Sequence, residues 1–385
     1  MQILKNVNAY VDGRITKCDI AFENGIIKAI DKNLDMLNVT KITIEENSVV
    51  CPGFIDEHIH GAAGADGMDG TKEAISTIAK AIAQEGTTGF LVTTMTQSQT
   101  NIKNALCAVN RYMLEQSDEG AAVLGVHLEG PFISKKHVGA QPIEYVQALS
   151  VKAFKEFEEA SGGHIKIVTL APEEDGANKL IEYLASKKIV ASIGHTDAKY
   201  KDVESAIKAG AKSVTHTYNA QTPLHHREVG VVGSSFLFDE LNAELIADCI
   251  HVCPQAMKIL YRLKPNNKLT LITDAMRAKH LPDGVSELGG QMVYVKNGEA
   301  RLKDGTLAGS VLKMNEAVKN LVLRVGVPFE RAIDCATINP AQNLSLDNER
   351  GSISVGKVAD FVILKPDFSV EKTIRSGKII YEQKK

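Results

Sequence analysis

The chain has no excess of positive charge: 44 Lys and Arg stand against 47 Asp and Glu in 385 residues, a formal net charge of -3. Nucleic-acid surfaces draw on clustered basic residues, so that partner class is set aside. No apolar run approaches the roughly 20 residues that span a bilayer. The start, Met1-Gln-Ile-Leu-Lys-Asn, has no signal-peptide core because Lys5, Asn6 and Asn8 interrupt it. The six cysteines are few for this length and lie scattered, mostly in apolar segments. They make no disulfide framework and read as reduced, buried thiols of a cytoplasmic protein. Cys249 and Cys253 flank His251, but no second Cys/His pair follows at structural-zinc spacing, which favours core cysteines.

What is present is a globular composition, 44% hydrophobic and 24% charged, in a chain long enough for one large barrel and a small second domain. Residues 1–50 alternate as short strands, with Asp12-Gly13 and Asn24-Gly25 as hairpin turns. From Val49 the pattern changes. Apolar strand-like runs alternate with amphipathic ones: 89–94, 122–128, 165–170, 189–193, 213–215, 243–247 and 269–273, after a first run ending at His58. Helices are expected at 71–85, 100–114, 143–159, 177–186, 199–209, 254–263 and 306–325. Eight strands separated by helices predict an α/β fold, a (β/α)8 TIM-like barrel. The tail from Gly351 to Tyr381 returns to β character, with a hairpin at Ser376-Gly377. Neither terminal piece can bury a core alone. The expected organisation is therefore a small β-sandwich domain from 1–50 plus 350–385, with a catalytic barrel at 51–349.

Five of the strands end in residues able to bind a metal. His58 and His60 are two apart on one strand and so face one side. Glu129 closes Val123-Leu-Gly-Val-His-Leu-Glu and is followed at once by Gly130-Pro131. His195, His216 and Asp274 end three later strands. Taken singly, Glu129 reads equally well as a turn cap, and the His58/His60 pair as surface histidines of a glycine-rich loop. Together they are hard to assign to packing, because a buried carboxylate or imidazole is costly unless paired. Imidazole with carboxylate suits Zn²⁺, Fe²⁺ or Mn²⁺, and Asp274 fits a general acid–base beside such an ion.

Pro52-Gly-Phe-Ile-Asp-Glu-His-Ile-His60, with His195, His216 and Asp274 at strand ends, resembles the amidohydrolase superfamily. His127-Leu-Glu-Gly-Pro-Phe, Gly194-His-Thr-Asp, Thr215-His-Thr-Tyr-Asn-Ala220, Asp248-x-x-His251 and Leu307-Ala-Gly-Ser310 are similar to one branch of it, over essentially the whole chain. That resemblance implies metal-dependent hydrolysis of the N-acetyl group of N-acetylglucosamine 6-phosphate, giving glucosamine 6-phosphate and acetate in amino-sugar catabolism or cell-wall recycling. It implies that Glu129, His195 and His216 hold the catalytic metal and that Asp274 is the acid–base. It implies that Gly139, Ala140, Asn219, Ala220, Arg227, His251, Leu307, Ala308 and Gly309 bind the sugar phosphate. Arg227 would reach the neighbouring active site of a homodimer; on its own residues it also reads as a solvated loop charge.

Two departures from the branch bear on the metal. Some relatives replace the first His-x-His by Gln-x-Asn and hold one ion; with His58 and His60 intact, two divalent ions per subunit are expected, bridged by Glu129. Some relatives carry a histidine in the loop that here reads Val138-Gly-Ala-Gln-Pro, leaving His137 as an out-of-register candidate. The competing readings are another superfamily hydrolase, a cyclic amidase or nucleobase deaminase, and a catalytically inactive relative kept for binding.

Overall fold

The structure, a computed structural model, describes residues 1–384. Eight strands form one parallel sheet in the order of the chain: Phe54–Ile59, Thr87–Thr93, Ala122–Glu129, Ile165–Leu170, Val190–Ile193, Ser213–Val214, Asn242–Ile246 and Leu269–Ile272. Each pairs with its sequence neighbour, and helices cross over between most of them, as parallel strands require. The first and eighth strands close the barrel without a regular ladder. Their seam is held at the C-terminal end, where the Asp274 amide donates to the His58 carbonyl at 2.8 Å and the His60 amide to the Ala275 carbonyl at 2.9 Å. A side chain replaces the missing rung: Thr273 Oγ1 donates to Asp56 Oδ2 at 2.6 Å.

The helix Lys72–Ala83 shows how pattern becomes packing. Thr71 Oγ1 accepts the Ala74 amide as a cap, and the spaced residues Ala74, Ile75, Ile78, Ala79 and Ile82 are all buried. The strands and outer helices share a large apolar cluster containing Phe90, Leu128, Phe154 and Leu180. Two expected helices begin later than their periodicity suggests. Residues 143–159 contain a single 3-10 turn at Ile143–Tyr145 and then a helix, Val151–Ala160, whose Ser150 cap fixes its start. In 306–325, residues before Met314 are extended because Ser310 is bound to the eighth strand: its amide donates to the Asp274 carbonyl and its carbonyl accepts from Met276. The run after Met314 continues as a π turn, Leu321–Val325. Between the eighth strand and this helix lies a small antiparallel sheet, Gly284–Leu288, Gln291–Lys296 and Glu299–Arg301, absent from the expected strand list. Also unforeseen are helices at Gly230–Leu237, Phe329–Ala336 and Ile338–Asn343.

Both chain ends build a separate, mostly antiparallel sheet. Its order runs Lys378–Glu382, Val370–Arg375, Phe361–Leu364, Val49–Pro52, Gln2–Val11, Arg14–Glu23, Ile26–Asp31, with Thr40–Ile42 beside Gln2–Val11. Asp12 and Gly13 have φ of 51° and 76°, and Asn24 and Gly25 of 50° and 78°, as tight hairpin turns need. One apolar cluster, with Leu4, Ile20, Phe22, Phe361 and Ile374, lies within this sheet's own domain. A second, with Tyr10, Cys51, Val362 and Phe368, packs it against the last barrel helices. Val49–Pro52 belongs to this sheet, so the chain passes to the barrel at Gly53. A Cβ there would collide with the Thr88 side chain, so glycine permits the close crossing. No helix among the described residues is long and apolar enough to cross a membrane.

Candidate active site

All five strand-end groups converge at the C-terminal mouth of the barrel. His195 Nε2 and His216 Nε2 each lie 3.1 Å from Glu129 Oε1 and 3.1 Å from one another. Three donor atoms on such a triangle can all sit about 2 Å from one point, the bond length of an imidazole or carboxylate to zinc. A second group adjoins it. His60 Nε2 is 3.2 Å from Asp274 Oδ1 and 3.3 Å from Glu129 Oε2; His58 Nε2 is 3.5 Å from Asp274 Oδ1 and from Glu129 Oε1. Glu129 thus presents one oxygen to His195 and His216 and the other to His60. The donor atoms of Glu129, His195 and His216 lie close enough to share one ion, as do those of His58, His60 and Asp274.

The backbone is bent to make this possible. His195, His216 and Asp274 have φ of 48°, 30° and 47°, a left-handed conformation unusual for residues other than glycine. Such residues cost on the order of 1–3 kcal/mol each and persist where the surroundings enforce them. Here each strand turns sharply away just as its last side chain aims into the mouth.

Electrostatics argue for a cation. Burial favours neutral Glu129, but the His58 charge and hydrogen bonds from His195 and His216 hold its carboxyl well below the usual range. Burial likewise opposes charging His60, yet Asp274 and Glu129 raise it to about 9. Asp274, despite burial, is pulled down to about 2 by His58 and His60. Without a metal, protons on imidazole therefore balance the carboxylates. A divalent ion would displace them. The lone pairs also fit: His58 Nε2 is buried without a hydrogen-bond partner while its Nδ1 is 3.0 Å from Glu244 Oε2. With Nδ1–H donated to Glu244 and a metal in place of the Nε2 proton, the Nε2 lone pair would be free to bind that ion between the two carboxylates.

The mouth opens into a cavity of about 360 Å³. Gly139, Ala140, Asn219, Ala220 and His251 line it. Leu307 and Gly309 do so from the far side, with Thr306 and Leu288. His251 is fixed by Asp248, Nδ1 to Oδ2 at 2.6 Å. Burial lowers its pKa, but the bond to Asp248 outweighs that and the net direction is upward. Ala308 is fully buried and packs in the apolar cluster of Met95, Met276 and Leu288. Arg227 does not line its own chain's cavity. It stands on an exposed loop with Nη1 2.8 Å from His226 Nε2. His137 turns its ring to Asp197 at 3.2 Å and offers its carbonyl to His195 Nδ1 at 2.9 Å.

Three groups at or behind this mouth were not singled out as site residues from sequence. Gln141 Nε2 donates to Glu129 Oε2 at 2.7 Å while its Oε1 accepts the Thr96 amide. Glu244 supports His58 from the seventh strand, and its only sequence signal is a carboxylate inside the apolar run Ala243 to Ala247. His127 lies beneath His58, their ring centroids 4.4 Å apart, with Nδ1 on the Glu57 carbonyl and Nε2 on Thr169 Oγ1. Both its nitrogens are engaged, which removes it as a metal ligand.

A barrel with this set of His, Glu and Asp at its strand ends defines a metal-dependent hydrolase class. The model of the Amidohydrolase family matches residues 49–380, and the chain belongs to that family. Within the family it is 46% identical over 346 residues to the N-acetylglucosamine-6-phosphate deacetylase of Bacillus subtilis strain 168, covering 89% of this chain and 87% of the relative. The solved structure of N-acetylglucosamine-6-phosphate deacetylase from Thermotoga maritima superposes with a TM-score of 0.90 at 35% identity, over 99% of this chain and 100% of that one. The N-acetylgalactosamine-6-phosphate deacetylase of Escherichia coli O157:H7 is 34% identical over 368 residues, 96% of each chain.

Proposed function

We propose that this enzyme hydrolyses the N-acetyl group of N-acetylglucosamine 6-phosphate, releasing glucosamine 6-phosphate and acetate. The observation that carries the reading is the Glu129–His195–His216 triangle beside Asp274, in a chain this similar to sugar-phosphate deacetylases. Glu129, His195 and His216 would hold one divalent ion; His58, His60 and Asp274 would hold a second, with Glu129 shared. Such an ion, when bound, polarises the acetyl carbonyl and lowers the pKa of water. Asp274, ionised and facing the cavity, accepts the proton of the attacking water and delivers it to the departing amine nitrogen. A C–O bond forms, the C–N bond breaks, and acetate leaves with the amine neutralised. Gln141 fixes the carboxylate of Glu129, and Gly139, lying against His195, lets the sugar approach closely.

His251 and Asn219 are placed to bind sugar or phosphate oxygens. Arg227, exposed and outside the lining of its own cavity, suits the phosphate of a substrate held by a neighbouring subunit, bound through two parallel hydrogen bonds. A homodimer would then be the active form. The organisation that serves this is a barrel with a small domain built from both termini.

The test is acetate release from N-acetylglucosamine 6-phosphate, from its 4-epimer and from the unphosphorylated sugar, with metal content measured on the same preparation. Fast release from the first, slower from the epimer and little from the plain sugar is expected. Equal rates with and without phosphate would overturn the phosphate site.

A further inference from the structure

Glu244 lies on the seventh strand, fully buried, and touches no part of the cavity. One of its oxygens, Oε2, meets His58 Nδ1 at 3.0 Å and accepts the backbone amide of His216 at 3.1 Å. A single carboxylate oxygen therefore joins the two halves of the site: a ligand from the first strand and the turn that bears a ligand from the sixth. The other oxygen, Oε1, has no hydrogen-bond partner. The strand's next link runs the same way, since the Thr217 amide donates to the Glu244 carbonyl.

We infer that Glu244 is the positioning residue of the His58/His60 metal site, an inference that rests on the two-metal reading above. A carboxylate that accepts Nδ1–H fixes the histidine tautomer and ring plane and makes Nε2 a better ligand. It also answers a charge question. A buried carboxylate with one unpartnered oxygen is costly by itself, and a cation on the far side of His58 supplies the opposite charge through the ring. Glu57 provides the contrast within the barrel interior. It is equally buried, but its carboxylate oxygens bond Asn343 and Asn242 and neither meets an imidazole.

Zn²⁺ titrated into chelator-stripped protein, followed by calorimetry and elemental analysis, tests this. Wild-type protein is expected to take two ions per chain. Glu244→Gln, which keeps the shape and removes the charge, is expected to bind the second ion about 10–100-fold more weakly, the usual effect of losing such a partner. The first ion stays. Glu57→Gln should keep both affinities. Glu244→Asp is the fallback where the Gln variant does not fold, with the same loss confined to the second ion. Two ions bound at wild-type affinity in Glu244→Gln overturn the inference and leave the two-metal reading standing. Equal weakening in Glu57→Gln overturns it too, by showing that any buried carboxylate matters. One ion in the wild type brings down the two-metal reading itself, and this inference with it.

Discussion

The two halves of the site are built differently. Glu129 ends the third strand, and His195 and His216 lie two residues beyond the fifth and sixth, all at the mouth of a continuous hydrogen-bonded sheet, and their donor atoms meet at 3.1 Å. His58, His60 and Asp274 stand on the first and eighth strands, where the ladder is broken, and their separations from Asp274 Oδ1 are 3.2 and 3.5 Å. The first half inherits its geometry from the sheet. The second depends on a few individual bonds, among them Asp274 to His58, Thr273 to Asp56 and His58 to Glu244. Preorganised ligands lose less on binding, so the first half should hold its ion harder.

The largest effect that tests this comparison is Glu129→Gln, which removes the carboxylate shared by both halves. Turnover should fall by more than about 10³-fold, beyond the usual loss of one transition-state contact, with neither ion retained in elemental analysis. Asp274→Asn should lose roughly 10²–10⁴-fold in kcat, the range for acid–base groups. Because Asp274 Oδ1 also faces both seam histidines, this variant should keep the ion at His195 and His216 while weakening the other. Near-normal turnover would remove Asp274 from the mechanism.

Arg227→Ala acts outside both halves. It should raise KM by roughly 10–100-fold, the worth of a charge-assisted phosphate contact, with kcat little changed. Mixed dimers with Asp274→Asn should regain sites that pair an intact Asp274 with an Arg227 from the other chain, and failure to do so would break the dimer reading.

Thr273→Val breaks only the seam. It leaves buried Asp56 without its 2.6 Å partner, so a chelator should strip the seam ion several-fold to about tenfold faster while the first ion's release is unchanged. Equal release from both halves would erase the proposed difference. The smallest effect is on stability. His60 is raised from 6.5 to about 9, so its protonated form stabilises the metal-free fold fully below pH 6.5, and this is lost as pH rises through about 9. Chelated protein should therefore melt at lower temperature at pH 9.5 than at pH 6.5, and bound metal, which replaces that proton, should remove most of the difference.

The hairpins at Asp12-Gly13, Asn24-Gly25 and Ser376-Gly377 and the eight barrel strands were legible because turn chemistry and apolar runs are local signals. The six candidate ligands at five strand ends were legible for the same reason: each is a polar residue where an apolar run stops. Gln141 gave no signal of its own within the loop Val138-Gly-Ala-Gln-Pro, because its contact with Glu129 crosses from a loop to a strand end. The sheet at 284–301 was not legible beyond its turns at Gly289-Gly290 and Asn297-Gly298, because its strands are largely exposed and carry no continuous buried apolar run.

By itself, then, the sequence determined the barrel strands, their order and the residue at each one's end, since these follow from local periodicity and from the rule that parallel strands need crossovers. Only the tertiary structure decided that Glu129 turns Oε1 to His195, His216 and His58 and Oε2 to His60, that Arg227 lies outside the lining of its own cavity, and that Glu244 stands behind His58. These are distances between residues far apart in the chain. They depend on how the barrel closes, and the seam where it closes is the place where no ladder fixes them in advance.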